Sequence, residues 1–145
     1  MVLCPKENLH LFKVAFAFEG ILCTHAGVSP SWYSAHIGEW SNPECLAASI
    51  NDLHEKNPEV FTFYAGDISG YGENEMQGPM WIRPKSLFAS RKLKYEKNSF
   101  SQVIGHTHTF SPFPGEIIIV DHLDKACYYV YSKINIHFFC LHAQN

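Results

Sequence analysis

The histidines at the end of one short apolar segment are the residues of this chain best suited to chemistry. The segment spans residues 101–109, with the sequence SQVIGHTHT, and leads through Gly105 into His106 and His108. Glycine allows a backbone bend that a residue with a Cβ resists, so the pattern is typical of a buried strand that ends in a loop. Residues two apart on an extended chain lie on the same side, and we therefore expect His106 and His108 to face one site together.

A second apolar segment also ends in histidine. It spans residues 21–27, with the sequence ILCTHAG, and places His25 before Ala26 and Gly27. Taken alone, His25 is better explained as a hydrogen-bonded core histidine, and the later HxH pair as a surface turn. Taken together, histidines at the ends of two strands predict one site at one edge of a sheet. Neutral imidazole is the commonest side-chain metal ligand, so a metal site is the chemistry that this arrangement favours.

Local signals predict the elements that position these histidines. The segment KVAFAFEG predicts a strand that turns at Glu19-Gly20 into a second strand over residues 21–24. Serine or asparagine followed by proline predicts helix starts after Ser29 and after Asn42. Further strands are predicted over residues 100–104, 116–120, 126–132 and 134–141, with a helix around residues 87–89.

The composition of the chain excludes several functional classes. Its length of 145 residues suits a single domain, and 46% of the residues are hydrophobic. The formal charge of −3 gives no electrostatic reason to expect nucleic acid as a partner. No segment approaches the roughly 18 apolar residues of a membrane span, and the five cysteines show no CxxC spacing. With no secretory leader in the amino-terminal segment, we expect a cytoplasmic protein that does not associate with membranes.

Three motifs together resemble those of the calcineurin-like metallophosphoesterases, in the branch that includes the serine/threonine phosphoprotein phosphatases. They are THAGVS around His25, GPMWIRP ending at Pro84, and QVIGHTHT around His106, in the family's order and rough spacing. The resemblance extends from about Leu9 to Asp121 and covers the carboxyl-terminal half of the family domain. It implies an α/β fold, the β-rich part of a four-layer αββα sandwich, with the amino-terminal half of the family fold missing.

The resemblance also implies a metal-dependent phosphoester hydrolase, a phosphatase in which two metal ions activate a water molecule that attacks phosphate. His25 and His106 would bind one ion, and His108 would reach the other. The ions would be manganese, iron or zinc, which such ligands suit. Arg83 would be the catalytic and substrate-binding arginine that clamps the phosphate, although a surface salt bridge is a competing explanation for it. A phosphoprotein, a nucleotide or a small phosphoester would suit the same chemistry.

The sequence also departs from the family pattern. The DxH, GDxxDRG and GNHE motifs, which supply most of the first metal site and a proton-donating histidine, do not occur upstream of His25. We therefore expect residues 1–145 to form a single partial metallophosphoesterase domain. The alternative to a hydrolase is that this chain is a catalytically inactive split or truncated phosphatase half. It would act as a metal-binding or protein-association module. Because absent strands would expose sheet edges, this alternative predicts another chain that supplies the missing half, or a homo-oligomer.

Overall fold

The computed structural model describes residues 12–63, 74–93, 100–108, 117–121, 127–132 and 135–140. Within these ranges the chain is a mixed α/β protein with three α-helices, a four-stranded sheet and a two-stranded sheet. A 3-10 turn over Pro58–Phe61 follows the second helix. The elements in chain order are β1 Ala15–Phe18, β2 Ile21–Thr24, α1 Pro30–His36, α2 Pro43–Lys56, α3 Pro84–Leu93, β3 Ser101–Ile104, β4 Ile117–Ile119, β5 Cys127–Ser132 and β6 Asn135–Cys140.

The first two strands form the hairpin that the sequence predicts. β1 and β2 pair antiparallel, with Phe18 opposite Ile21 at the turn. The turn residues Glu19 and Gly20 have φ angles of 47° and 79°. Positive φ at both positions gives the turn whose twist matches that of the flanking strands. β2 therefore runs away from this turn and ends at the opposite edge of the sheet.

The four-stranded sheet brings distant parts of the chain side by side. Its order is β1-β2-β3-β4, and β3 lies parallel to β2 on one side and to β4 on the other. Cys23 lies opposite Val103, which in turn lies opposite Ile118. Parallel strands end at the same edge, so the residues that follow β2 and β3 leave the sheet next to each other, as the sequence predicts.

The two early helices begin where a hydroxyl or amide side chain precedes proline, as predicted. The Ser29 hydroxyl accepts a backbone N–H of the first turn of α1 at 3.0 Å. The Asn42 amide oxygen does the same for α2 at 2.8 Å. These caps satisfy N–H groups that have no partner inside the helix. α2 is joined to the sheet, because the Asn51 side chain accepts from the Ala15 N–H and donates to the Ala15 carbonyl oxygen.

One face of the four-stranded sheet carries the described core. Leu22, Gln102 and Ile117 are direct neighbours across three strands on this face, and all three are buried. One cluster around Trp32 packs α1 and α2 against β1 and β2, and a second around Leu87 packs α3 against β3 and β4. Burial of each large apolar side chain stabilises the folded chain by on the order of 1.5–3 kcal/mol. This packing therefore holds the helices and strands in fixed positions relative to one another.

The predicted α/β class is confirmed, whereas the four-layer αββα sandwich stays a prediction. β5 and β6 pair antiparallel, with Cys127 opposite Cys140, in agreement with the two strands predicted there. The glycine-rich segment GDISGYGENEMQG, residues 66–78, has the composition of a loop, and its part up to residue 73 lies outside the described residues. None of the helices that the structure describes has the length and hydropathy needed to cross a bilayer.

Candidate metal centre

Backbone hydrogen bonds join three loops at the carboxyl edge of the four-stranded sheet. The Gly105 N–H donates to the His25 carbonyl oxygen at 2.8 Å, which connects the loop after β3 to the loop after β2. The Ala26 N–H donates to the Pro79 carbonyl oxygen at 2.6 Å, which adds the segment that leads into α3. The three motifs singled out in the sequence therefore meet at one place.

The imidazole rings of His25 and His106 lie in direct contact at this edge. His25 Nε2 is 2.9 Å from His106 Nδ1, and the ring centroids are 4.7 Å apart with 66° between the ring planes. Without an ion, this separation is a hydrogen bond in which one neutral imidazole donates and the other accepts. With an ion, the same two nitrogens are placed to act as its ligands. The structure thus brings together the two histidines predicted to share one ion.

The backbone bends at His106 and not at Gly105, where glycine predicts the bend. His106 has a φ of 68°, a left-handed conformation that is uncommon for residues with a Cβ. Across this bend the Thr107 N–H donates to the Gly105 carbonyl oxygen at 2.8 Å. The expectation of an extended chain from His106 to His108 is therefore wrong, because the turn breaks the alternation that would put both side chains on one side.

His108 lies apart from the pair and faces a carboxylate. Its side chain is 70% exposed, and its Nε2 is 3.9 Å from Oδ2 of Asp121, which lies just beyond β4. The part of the chain that the structure describes contains no group of three or more His, Cys, Asp or Glu side chains able to hold one ion. The structure does not gather His108 with His25 and His106 around one position, and its role as a ligand of a second ion stays a prediction.

Arg83 lies beside the histidine pair. Its Nη1 donates to the Thr107 hydroxyl at 3.1 Å, so the residue next to His106 holds the guanidinium. Burial lowers the pKa of His106 below its ordinary value of 6.5, and the neighbouring Arg83 and His25 lower it further, whereas Asp121 acts in the opposite direction. Neutral imidazole is the form that binds a metal ion, so these surroundings favour the ligating form of His106.

A buried amide fixes the loop that carries His25. Gln102 Oε1 accepts from the Val28 N–H at 2.8 Å, and Gln102 Nε2 donates to the Val28 carbonyl oxygen at 3.0 Å. The Thr24 hydroxyl accepts from the Gly27 N–H at 3.0 Å. Buried backbone groups are nearly always paired, because an unpaired group is costly. These bonds therefore specify the path of the loop between β2 and α1.

Sequence reasoning does not find two residues near the pair, Trp81 and Asp121. The Trp81 ring lies 5.8 Å from the His106 ring, edge to face at 86°. It is 39% exposed, and its Nε1 donates to the Phe61 carbonyl oxygen at 3.1 Å. The position of Trp81 two residues before Arg83 is a signal that could have identified it. Asp121 gives no such signal, because a polar residue at the end of a strand is common.

The histidine pair is close to the spacing of two nitrogen ligands of one divalent ion. Two nitrogens bound to zinc at about 2.0–2.1 Å in tetrahedral geometry lie about 3.3–3.4 Å apart. His25 Nε2 and His106 Nδ1 are 2.9 Å apart, so the rings would have to separate by about 0.4–0.5 Å to bind the ion together. His106 Nδ1 is the nitrogen that faces His25 and would be the ligand, whereas His106 Nε2 is buried without a hydrogen-bond partner among the described residues. Manganese, iron and zinc all accept imidazole. A complete coordination shell would need ligands beyond the two that the described residues supply.

No protein-family model, curated protein or solved structure matches this chain. Any functional conclusion therefore has to come from the residues themselves. Those residues are the histidine pair, the guanidinium beside it and the three loops that hold them at one edge of the sheet.

Proposed function

We propose that this protein is a metal-dependent phosphoester hydrolase of the calcineurin-like metallophosphoesterase type. The supporting observation is the 2.9 Å separation of His25 Nε2 and His106 Nδ1 beside Arg83. The three residues come from motifs far apart in the chain. A site for phosphoester hydrolysis needs metal ligands and a positively charged group that binds the phosphate close together, and these residues are of those types. In this proposal the four-stranded sheet belongs to an αββα sandwich and the described helices cover one of its faces.

In the proposed site, His25 and His106 hold one divalent cation, either manganese, iron or zinc, through Nε2 and Nδ1. A cation bound there would stabilise negative charge on phosphoryl oxygens and lower the pKa of water for attack on phosphorus. Burial lowers the pKa of His106, which favours the neutral imidazole that binds a metal ion. His108, which is largely exposed, is proposed as a ligand of a second ion.

Arg83 is proposed to bind the phosphate of the substrate. A guanidinium presents paired N–H donors that match two oxygens of a phosphate group. The Thr107 hydroxyl accepts one Arg83 N–H at 3.1 Å, so the orientation of the guanidinium is coupled to the loop that carries His106. A phosphate held by Arg83 would lie next to the proposed cation and be neutralised from two sides. A phosphoprotein, a nucleotide or a small phosphoester meets this requirement.

Phosphate release from p-nitrophenyl phosphate by the purified chain tests the proposal. With added manganese we expect turnover that chelation abolishes and that the His106→Ala variant lacks, because this variant keeps only one nitrogen of the pair. The control variant His36→Gln removes a histidine at the end of α1, outside the site, and should keep the unaltered rate. Absence of turnover with manganese, iron and zinc would exclude hydrolysis by this chain.

Substitution of Arg83 separates phosphate binding from metal binding. Arg83→Lys keeps the positive charge but loses the paired donors, so we expect KM to rise by more than about tenfold. Thr107→Val removes the hydroxyl that holds Nη1 and should raise KM by a smaller factor. An unchanged KM in Arg83→Lys would favour the competing explanation, in which Arg83 serves the structure alone.

A metal-binding or protein-association module without catalysis is the second candidate. It is favoured by the lack, among the described residues, of three or more side chains placed to hold one ion. It predicts that the chain binds a divalent ion through His25 and His106 without phosphate release. It also predicts association with another chain or a second copy, hence a mass above the 16.5 kDa of one chain in light scattering. A monomer that hydrolyses p-nitrophenyl phosphate would exclude this candidate.

A further inference from the structure

An exposed tryptophan lies beside the proposed phosphate site, and the chemistry proposed above does not use it. Trp81 is 39% exposed, and its ring centroid lies 5.8 Å from that of His106. In the chain it stands two residues before Arg83. We propose that Trp81 is a specificity-determining residue that selects phosphoesters whose phosphate carries an aryl group. This inference deepens the proposed hydrolase function and rests on it.

The Trp81 ring is held rigidly in its position. Its Nε1 donates to the Phe61 carbonyl oxygen at 3.1 Å, and its backbone N–H donates to the Gly78 carbonyl oxygen at 3.0 Å. Phe63 packs against the ring edge to face, with centroids 5.5 Å apart and 82° between the ring planes. Because these contacts fix the indole before a ligand arrives, stacking on its exposed part loses little side-chain entropy.

The geometry favours an aromatic group attached directly to the phosphate. The Trp81 ring neighbours the imidazole of His106, and the Arg83 guanidinium is bonded to the hydroxyl of the next residue, Thr107. An indole and a phosphate held by the guanidinium would therefore be neighbours too. Paired aromatic rings prefer about 4.5–7 Å between centroids, a distance that a ring on the ester oxygen can meet. A nucleobase is separated from its phosphate by a ribose and would lie farther out. An aryl ester therefore fits this neighbourhood better than a nucleotide or an aliphatic ester.

Binding of two matched phosphonates, measured by isothermal titration calorimetry on the full chain with manganese, tests the inference. Phenylphosphonate and cyclohexylphosphonate carry a ring of the same size, but only the first is aromatic. Because the aryl group also lowers the second pKa of the phosphonate, the preference is taken as the ratio of the two affinities in the unaltered protein divided by the same ratio in Trp81→Leu. We expect phenylphosphonate to bind about 3- to 10-fold more tightly, the factor that an aromatic contact adds beyond buried area. This preference should be lost in Trp81→Leu and Trp81→Ala and kept in Trp81→Phe.

The matched control is Phe18→Ala, which removes an aromatic ring at the turn of the β1–β2 hairpin, at the other end of β2 from His25. This variant should keep the preference for phenylphosphonate. Equal affinities in the unaltered protein, no binding of either phosphonate, or a preference that survives in Trp81→Leu would each overturn the inference. Tighter binding of adenosine monophosphate than of phenylphosphonate would overturn the assignment of a directly attached aryl group.

This outcome is separable from that of the proposed hydrolase function, because the carbon–phosphorus bond of a phosphonate stays intact and binding alone is measured. A Trp81-dependent preference without phosphate release from p-nitrophenyl phosphate would refute the hydrolase and support the ligand class. The opposite outcome is phosphate release in which Trp81→Leu leaves the ratio of the KM values for phenyl phosphate and cyclohexyl phosphate unchanged. That result would support the hydrolase and overturn the inference.

Discussion

His25 Nε2 lies 2.9 Å from His106 Nδ1 although 81 positions separate the two residues in the chain. The contact exists because β2 and β3 are parallel neighbours and because the Gly105 N–H bonds to the His25 carbonyl oxygen just beyond them. Parallel neighbours need a long crossover connection, and α1, α2 and α3 all lie within it. The pair is thus a product of sheet topology, and changes that disturb this edge should disturb metal binding.

Removal of either histidine of the pair should strongly weaken metal binding. We expect His25→Ala and His106→Ala each to lower the affinity for zinc by more than the roughly 10–100-fold that loss of a supporting partner costs. Each substitution removes one of the two nitrogens that face the proposed ion. Competition with a chromophoric chelator measures the affinity, and His36→Gln serves as the control. Losses in the control as large as those at the pair would contradict the assignment.

His108→Ala addresses the predicted second ion in the same titration. Because His108 is largely exposed and stands apart from the pair, its removal should leave the affinity for the first ion unchanged. If His108 binds a second ion, the number of ions bound at saturation should fall by one. An unchanged stoichiometry would remove His108 from the set of predicted ligands.

Gly27→Ala should destabilise the fold for two physical reasons. Gly27 has a φ of 115°, and an added Cβ would lie 2.5 Å from Leu87 Cδ2 in the buried core. Backbone strain and overpacking together should cost about 2–4 kcal/mol. The control is Gly38→Ala, because Gly38 has a φ of 84° with nothing within 4 Å of the added atom, and we expect it to cost about 1–2 kcal/mol. Urea unfolding measures both values, and equal losses would show that the contact with Leu87 is accommodated.

Local sequence signals account for most of the described elements. Proline after a capping side chain marks the starts of both early helices, at Ser29 and Asn42, and Glu19-Gly20 forms the hairpin turn. These features depend on backbone preferences within a few residues, which is why sequence alone predicts them. The sequence also predicts that His25 and His106 come directly after strands, because this too depends only on neighbouring residues.

The remaining features of the site depend on tertiary contacts that no local pattern encodes. The left-handed backbone lies at His106 and not at Gly105, and such a conformation persists only where surrounding contacts over-determine it. Here those contacts include the burial of the imidazole and its approach to His25. Trp81 becomes a neighbour of His106 only when the segment before α3 meets the end of β3. Spacing therefore predicts the histidine pair but not the separate position of His108.

Gln102→Met should destabilise the protein and loosen the loop that carries His25. The substitution keeps the size of the side chain but leaves the Val28 N–H and carbonyl oxygen without the bonds at 2.8 and 3.0 Å. Two unpaired buried groups should cost about 2–4 kcal/mol, and the affinity for zinc should fall as well. The control is Ser101→Ala, on the opposite face of β3, which should change stability by less than about 0.5 kcal/mol. A loss in Gln102→Met no larger than this would contradict the proposed role of the amide.

The stability of the fold should also depend on pH through His36. Its ring lies against Trp32 with the ring centroids 5.2 Å apart, and burial lowers the pKa of His36 below its ordinary value of 6.5. The unfolded chain therefore binds this proton more tightly than the folded chain. The contribution of His36 to stability is complete above about pH 6.5 and is lost as the pH falls from there through the lower pKa of the folded chain.

His36→Gln removes this titration while keeping a polar side chain at the end of α1. Between about pH 7.5 and pH 5, we expect the free energy of unfolding of the unaltered protein to fall relative to that of the variant. Because burial and not a neighbouring charge lowers the pKa, added sodium chloride should leave this relative change intact. Urea unfolding at each pH, in the presence of EDTA so that no metal stabilises the fold, measures the difference. A difference that stays constant across the pH range would show that His36 binds its proton equally in the folded and unfolded chains.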